Sequence, residues 1–253
     1  MIHRLTDRSA IRQRLNADRE WCLYALADLD EGLFEHCDWW INGDNLALVF
    51  RALEIRPILI LGDPRELLPH LSEPSGYLNL KPGQLDGASG VYAYRQRHRM
   101  NRMIVDGFTP AAGDAEPLTR QDHDDIERLY ATGDGGGIAF APFQLDTGFF
   151  RGIRQDGRLI AVAGVHVVSR KESVAGVGNI FTHPDCRGRG LAQIVTSSVV
   201  TALQAVGIQT IGLNVEHTNA PAIRAYERIG FRLRFHYYEG AADRLIDLPC
   251  PSK

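Results

Sequence analysis

The sequence predicts an α/β protein built on a mixed sheet, and three observations predict it. Short β-prone runs alternate with helical apolar spacing through the second half of the chain. Asp156-Gly157 is a two-residue turn signal between two such runs, the mark of an antiparallel hairpin. Arg187-Gly188-Arg189-Gly190 joins a β-prone segment directly to a helix, as α/β folds do where they hold an anion.

In chain order, residues 9–15 open as a helix, followed by an aromatic cluster of Trp21, Tyr24, Phe34, Trp39 and Trp40 that reads as core. Strands are expected over 45–54, 55–61 and 99–105, with a short helix over 64–71. Pro, Ala and Gly then interrupt the pattern at 108–117, so a boundary is drawn there between domains 1–108 and 109–253. Ile126, Leu129 and Tyr130 give residues 120–131 one apolar helical face. Thr132 to Gly137 cannot hold regular structure and reads as a loop. A hairpin of 149–155 and 158–168 follows, then a strand reaching Thr182 and closed by Pro184. From Leu191 to Val206 apolar residues fall at 191, 194, 195, 199, 202, 203 and 206, a helix that Gly207 ends. Residues 209–215 form a buried strand. Thr218 or Asn219 caps the next helix, Pro221 suits its first turn and Gly230 stops it. Residues 232–239 and 244–248 read as closing strands about Gly240.

Composition excludes several functions. The chain has 253 residues, long enough for more than one domain, and a net charge of −3 that leaves no basic footprint for nucleic acid. Apolar stretches are strand length, too short to cross a bilayer, and the N-terminus lacks a signal-peptide core. Cysteines at 22, 37, 186 and 250 have neither metal nor disulfide spacing. The expectation is a cytoplasmic protein with no metal and no membrane partner.

The glycine turn is the candidate site. Backbone N–H groups at the helix start, the helix dipole and two guanidinium groups together suit a diphosphate. Gly188 and Gly190 let a ligand approach the main chain. A P-loop would need Gly-Lys-Ser/Thr, whereas here Leu191-Ala192-Gln193 follows. The glycine spacing also fails the dinucleotide fingerprint. The remaining pattern, Arg187, Gly190 and Ala192 in Gln/Arg-x-x-Gly-x-Gly/Ala, resembles the coenzyme A loop of the GNAT superfamily of N-acetyltransferases. Asn219, Ala222 and Tyr226 followed by Gly230-Phe231 resemble that family's second block.

The resemblance implies a GNAT fold in the C-terminal half, complete from about residue 112 to 249. It implies acetyl-CoA as co-substrate, its diphosphate on Arg187, Gly188, Arg189, Gly190, Leu191 and Ala192. Its pantetheine arm would lie along Ile180, Phe181 and Thr182 between two strands that splay apart. Asn219 and Tyr226 would flank it, with Tyr226 as general acid toward the leaving thiolate, and the amide of Thr182 would stabilise the oxyanion. Cys186 would lie at the diphosphate end, away from the thioester. The first 108 residues resemble a degenerate copy of the same fold without its cofactor site, as in two-domain amino-acid acyltransferases; covering the acceptor cleft or making a homodimer contact are its expected uses. The loop from Thr132 to Gly137 would border the acceptor pocket.

One expected group is missing. Where many members carry a basic Glu on the fifth strand, this chain has Asn214, leaving Glu216, His183 and His166 as candidates. A lysine amine of pKa about 10.4 costs roughly 4–5 kcal/mol to deprotonate at pH 7, an α-amine only about 1. The expected function is therefore acyl transfer to a primary amine of a small molecule, amino acid or peptide N-terminus by direct attack. The alternative is a non-catalytic acetyl-CoA sensor.

Overall fold

In the computed structural model, which describes residues 1–133 and 139–245, contacts divide the chain into two units. One holds residues 1–101 with those from 235 onward, the other Arg102–Arg234. The division falls inside two strands, His98–Val105 and Phe231–Arg244, and not at 108/109. Two residue signals had suggested otherwise. The Pro- and Gly-rich stretch after Val105 is packed: Asp106 N donates to Gly230 O at 2.8 Å, and Ala111 N to Ser197 Oγ at 3.0 Å. Gly240, expected as a turn between two strands, lies inside one continuous strand. Part of the predicted strand 244–248 lies outside the described residues.

The first unit begins with β1 (His3–Arg4) and α1 (Arg8–Asn16), whose N-cap Asp7 accepts from Ser9 N at 2.8 Å. After α2 (Leu23–Ala27), strands β2 (Cys37–Asn42), β3 (Asn45–Phe50) and β4 (Pro57–Leu61) form an antiparallel meander. The expected helix over 64–71 is instead two 3₁₀ turns, Pro64–Glu66 and Leu68–His70, because Pro69 has no N–H to carry a helix across. Strand β5 (Ser75–Leu80) runs parallel to β4. Then come α3 (Leu85–Ser89), β6 (Tyr92–Tyr94) and β7 (His98–Val105). Trp21 and Trp39 are buried, and Trp21 meets Tyr237 edge-on at 5.4 Å, so these two are core as expected, whereas Tyr24, Phe34 and Trp40 of the same cluster are half-buried.

The second unit contains β8 (Glu116–Pro117), α4 (His123–Tyr130), β9 (Arg151–Gln155), β10 (Arg158–Ser169) and β11 (Val174–Thr182). It continues with α5 (Leu191–Ala205), β12 (Thr210–Glu216), α6 (Ala220–Arg228) and the start of β13 (Phe231–Arg244). Its strands lie in the order β12-β11-β10-β9-β8, parallel only between β11 and β12. Asp156 and Gly157 both have positive φ, 50° and 76°, as the tight turn of the β9–β10 hairpin requires. Ala161, Ala163 and Val165 of β10 face α5, while Val162 faces the cluster under α4. The sheet is thus buried on both sides, which explains its near-continuous apolar strands. Both units follow the same order: short strand, helical segment, three antiparallel strands, helical connection, parallel strand, helix.

Candidate functional site

The site begins where two parallel strands stop pairing. β11 and β12 are in register from Val174↔Thr210 to Val177↔Leu213. Beyond that point β11 runs on to Thr182 and β12 to Glu216. The cause lies on β11. Between Gly178, opposite Gly164, and Phe181, opposite Val162, β11 carries one residue more than β10. Asn179 supplies the bulge with φ of 54°, the left-handed region that Asn tolerates better than most residues.

An extra residue reverses which way every later group points. Ala175 and Val177 face α5; a regular strand would put Phe181 there too, yet Phe181 packs with the α4 cluster and Ile180 takes the α5 side. The backbone reverses likewise. His183 N donates to Ile160 O at 2.9 Å, so the neighbouring Thr182 turns its N–H and C=O away from β10, toward the gap. Without the bulge Thr182 would stand opposite Ile160 and spend its amide on β10. Arg187 Nε donates to the Thr182 carbonyl at 3.3 Å. Thr182 Oγ1 is buried with no partner among the described residues, a polar vacancy of the kind a ligand group satisfies.

Next comes the turn into α5. Gly188 and Gly190 have φ of 77° and 78°, and a Cβ built on either meets nothing within 4 Å. Gly190 is the N-cap of this 15-residue helix and has no side chain to offer its first amides. Leu191 is buried and anchors the helix, while Ala192 is half-exposed. Arg187 is exposed and stacks over the Phe181 ring at 5.8 Å; Arg189 donates to Gln155 Oε1 at 3.0 Å. Open space and a helix N-terminus meet in a turn that carries two arginines.

Tyr226 is buried on α6, its ring 6.1 Å from Phe231. Burial pushes its phenol pKa up, so the group stays a proton donor through the neutral range. Asn219 caps α6, accepting from Ala222 N at 3.2 Å, which gives it a structural use in the second block.

The base candidates separate. Asn214 Oδ1 accepts from Arg102 Nε, and Arg102 is only 5% exposed, so the expected Glu position holds an amide engaged by a buried cation. His183 has both ring nitrogens engaged, Nε2 with Arg158 at 2.8 Å and Nδ1 with Asp185 N at 3.3 Å. Glu216 is exposed at the end of β12. Desolvation pulls the His166 pKa down to about 4, opposed by a hydrogen bond with Asn179, which leaves a neutral and weakly basic imidazole beside the bulge. Cys186 sits in the 3₁₀ turn Pro184–Cys186, before the glycine turn.

Sequence reasoning missed Arg102, Tyr130 and Gln144. Tyr130 reads as one residue of an apolar helix face, and only the fold shows its hydroxyl 3.0 Å from Asn179 O. Gly133, at the start of the expected 132–137 loop, lies against Phe181 and Pro184; residues 134–138 lie outside the described set. Among the described residues no helix is long and apolar enough to cross a membrane, and no acidic, His and Cys group has a metal-holding arrangement.

The model of the acetyltransferase (GNAT) family matches residues 114–231. A mycothiol acetyltransferase of Mycobacteroides abscessus is 29% identical over 164 residues, which cover 56% of this chain and 54% of that protein. A [ribosomal protein bS18]-alanine N-acetyltransferase of Escherichia coli is 32% identical over 100 residues, 37% of this chain and 66% of that one. The chain thus spans about half to two-thirds of these two relatives. The crystal structure of a putative acetyltransferase from the GNAT family of Novosphingobium aromaticivorans matches with TM-score 0.56 at 25% identity, covering 77% of this chain and 90% of that one.

Proposed function

Because residues 114–231 form a domain of the GNAT acetyltransferase family, we propose that this protein transfers an acetyl group from acetyl-CoA to a primary amine of low pKa. The observation that carries the proposal is the bulge at Asn179, which leaves the Thr182 amide facing the β11–β12 gap beside a helix N-terminus. The residues fit the donor. Arg187, Gly188, Arg189, Gly190, Leu191 and Ala192 would hold its diphosphate. Ile180, Phe181 and Thr182 would offer a strand edge to its arm, and the orphaned Thr182 hydroxyl would find a partner there. Bound acetyl-CoA supplies an activated acyl carbon.

The chain's own groups supply the rest. The Thr182 N–H is a preorganised donor for charge developing on the carbonyl oxygen. Tyr226, kept protonated by burial, donates to the leaving sulfur. Asn214 is an amide, His183 has both ring nitrogens engaged and His166 is weakly basic, which leaves the exposed Glu216 among the candidates and favours an amine that arrives largely unprotonated. That favours α-amines, for which the cost at pH 7 is about 1 kcal/mol against roughly 4–5 for lysine. The alanine nitrogen named for the Escherichia coli relative is of this kind. The first unit repeats the element order, but its turn after β4 is occupied: Asp63 Oδ1 accepts from Arg65 N at 3.0 Å, a carboxylate where a phosphate would sit. We read it as a copy without a donor site.

Release of free thiol from acetyl-CoA with a panel of amines tests the reading. Alanyl peptides or amino acids should react and Nα-blocked lysine peptides lag. Reaction of lysine side chains alone would overturn the acceptor class. A second reading, a sensor that binds acetyl-CoA without turnover, is favoured by Asn214 held on Arg102. Binding without thiol release for any amine would select it.

A further inference from the structure

Three side chains from three different elements meet at Asn179. The Tyr130 hydroxyl, from the end of α4, donates to its carbonyl at 3.0 Å. Asn179 Nδ2 donates at 2.9 Å to Oε1 of Gln144, which lies in the 3₁₀ segment Pro142–Thr147. His166, on β10, hydrogen-bonds the Asn179 side chain. Each of the three is itself fixed. Gln144 is buried, accepts from Ala141 N at 3.1 Å and donates to Ala139 O at 3.2 Å. Tyr130 is buried and meets the rings of Phe140 at 5.6 Å and Phe181 at 5.7 Å. His166 stands at a second irregularity: between Val165↔Val177 and Val167↔Gly176, β10 carries the extra residue. Its ring then lies over Gly178, in space that any Cβ there would need.

A left-handed non-glycine residue persists only when its surroundings over-determine it. Here the surroundings are these three bonds, and what they hold is the phase of the strand. If Asn179 relaxed to extended backbone, the bulge would lose its extra residue and Thr182 would be drawn opposite Ile160. The rigidity required of a donor edge is thus supplied from α4, β10 and the segment after Ala141, outside both cofactor motifs.

We infer that Tyr130, Gln144 and His166 are positioning residues that clamp Asn179 in its left-handed conformation and so aim the Ile180–Thr182 edge at the pantetheine arm of the donor. The inference rests on the reading of the β11–β12 gap as the donor channel. It separates two parts of one ligand: the arm depends on the clamp, and the diphosphate, held on residues 187–192, does not.

Calorimetry on the full chain tests it with two ligands, acetyl-CoA and 3′-phospho-ADP, which has the diphosphate but no arm. Tyr130→Phe and Gln144→Leu should each weaken acetyl-CoA about tenfold, the worth of one net hydrogen bond. Each should leave 3′-phospho-ADP within about twofold. Asn179→Ala serves where either variant folds poorly, since alanine loses the side-chain bonds and is strained at the positive φ they hold; it should show the same split. Equal weakening of both ligands would reduce the cluster to a structural role, and unchanged acetyl-CoA affinity in Asn179→Ala would overturn the clamp. Wild-type protein that binds neither ligand would sink the donor-channel reading first, and the inference with it.

Discussion

Gly178→Ala puts a methyl group where the structure has none to spare. A Cβ there would lie 2.6 Å from His166 Cδ2 and nearer still to Nε2 and Cε1. Ordinary contact needs about 3.5–4 Å, so the ring must move by about 1 Å or more. Overpacking of this kind costs about 1–3 kcal/mol, and displacing the ring from Asn179 adds about 1 more for the lost hydrogen bond. For a unit of this size each kcal/mol lowers Tm by about 4 °C, so a total of about 2–4 kcal/mol means that Gly178→Ala should melt roughly 8–16 °C below wild type. Circular dichroism gives the midpoint. The reasoning also fixes the cure: His166→Ala should recover at least half of the loss in the double variant, a coupling of about 1 kcal/mol or more. Additive losses, or a melt for Gly178→Ala within about 1 °C of wild type, would refute the contact.

Tyr226→Phe should lower kcat about a hundredfold while acetyl-CoA affinity holds, measured by thiol release and calorimetry; full turnover would remove its role as acid. The His166 ring, with its pKa lowered from 6.5 to about 4, sets a pH dependence. The unfolded chain takes up a proton that the native ring refuses, so this contribution is complete above about pH 6.5 and is lost as pH falls toward 4. Chemical denaturation of His166→Gln across that window should show a flatter slope than wild type; identical slopes would contradict it.

What the sequence made legible is local. Glycines mark conformations that other residues resist, so the Asp156-Gly157 turn, the helix stop at Gly207 and the turn into α5 were readable from residue type. The residues expected to line the gap were named by resemblance, because both cofactor motifs are contiguous. The bulge was not, since Asn179 looks like any strand residue until its neighbours on β10 are known. The Arg102–Asn214 bond joins residues 112 apart, which no spacing rule connects. Gly240 misled in the other direction: its freedom serves close approach of the Gln96 carbonyl within the first unit, not a turn. The Pro- and Gly-rich stretch after Val105 misled similarly, because its polar backbone is satisfied against Gly230 and α5.

Titration of the full chain with coenzyme A in a calorimeter tests the central claim most directly. The account predicts one saturable site per chain whose affinity falls as salt rises, because a diphosphate rests there on helix amides and two arginines. No heat of binding to well-folded protein at low salt would contradict it.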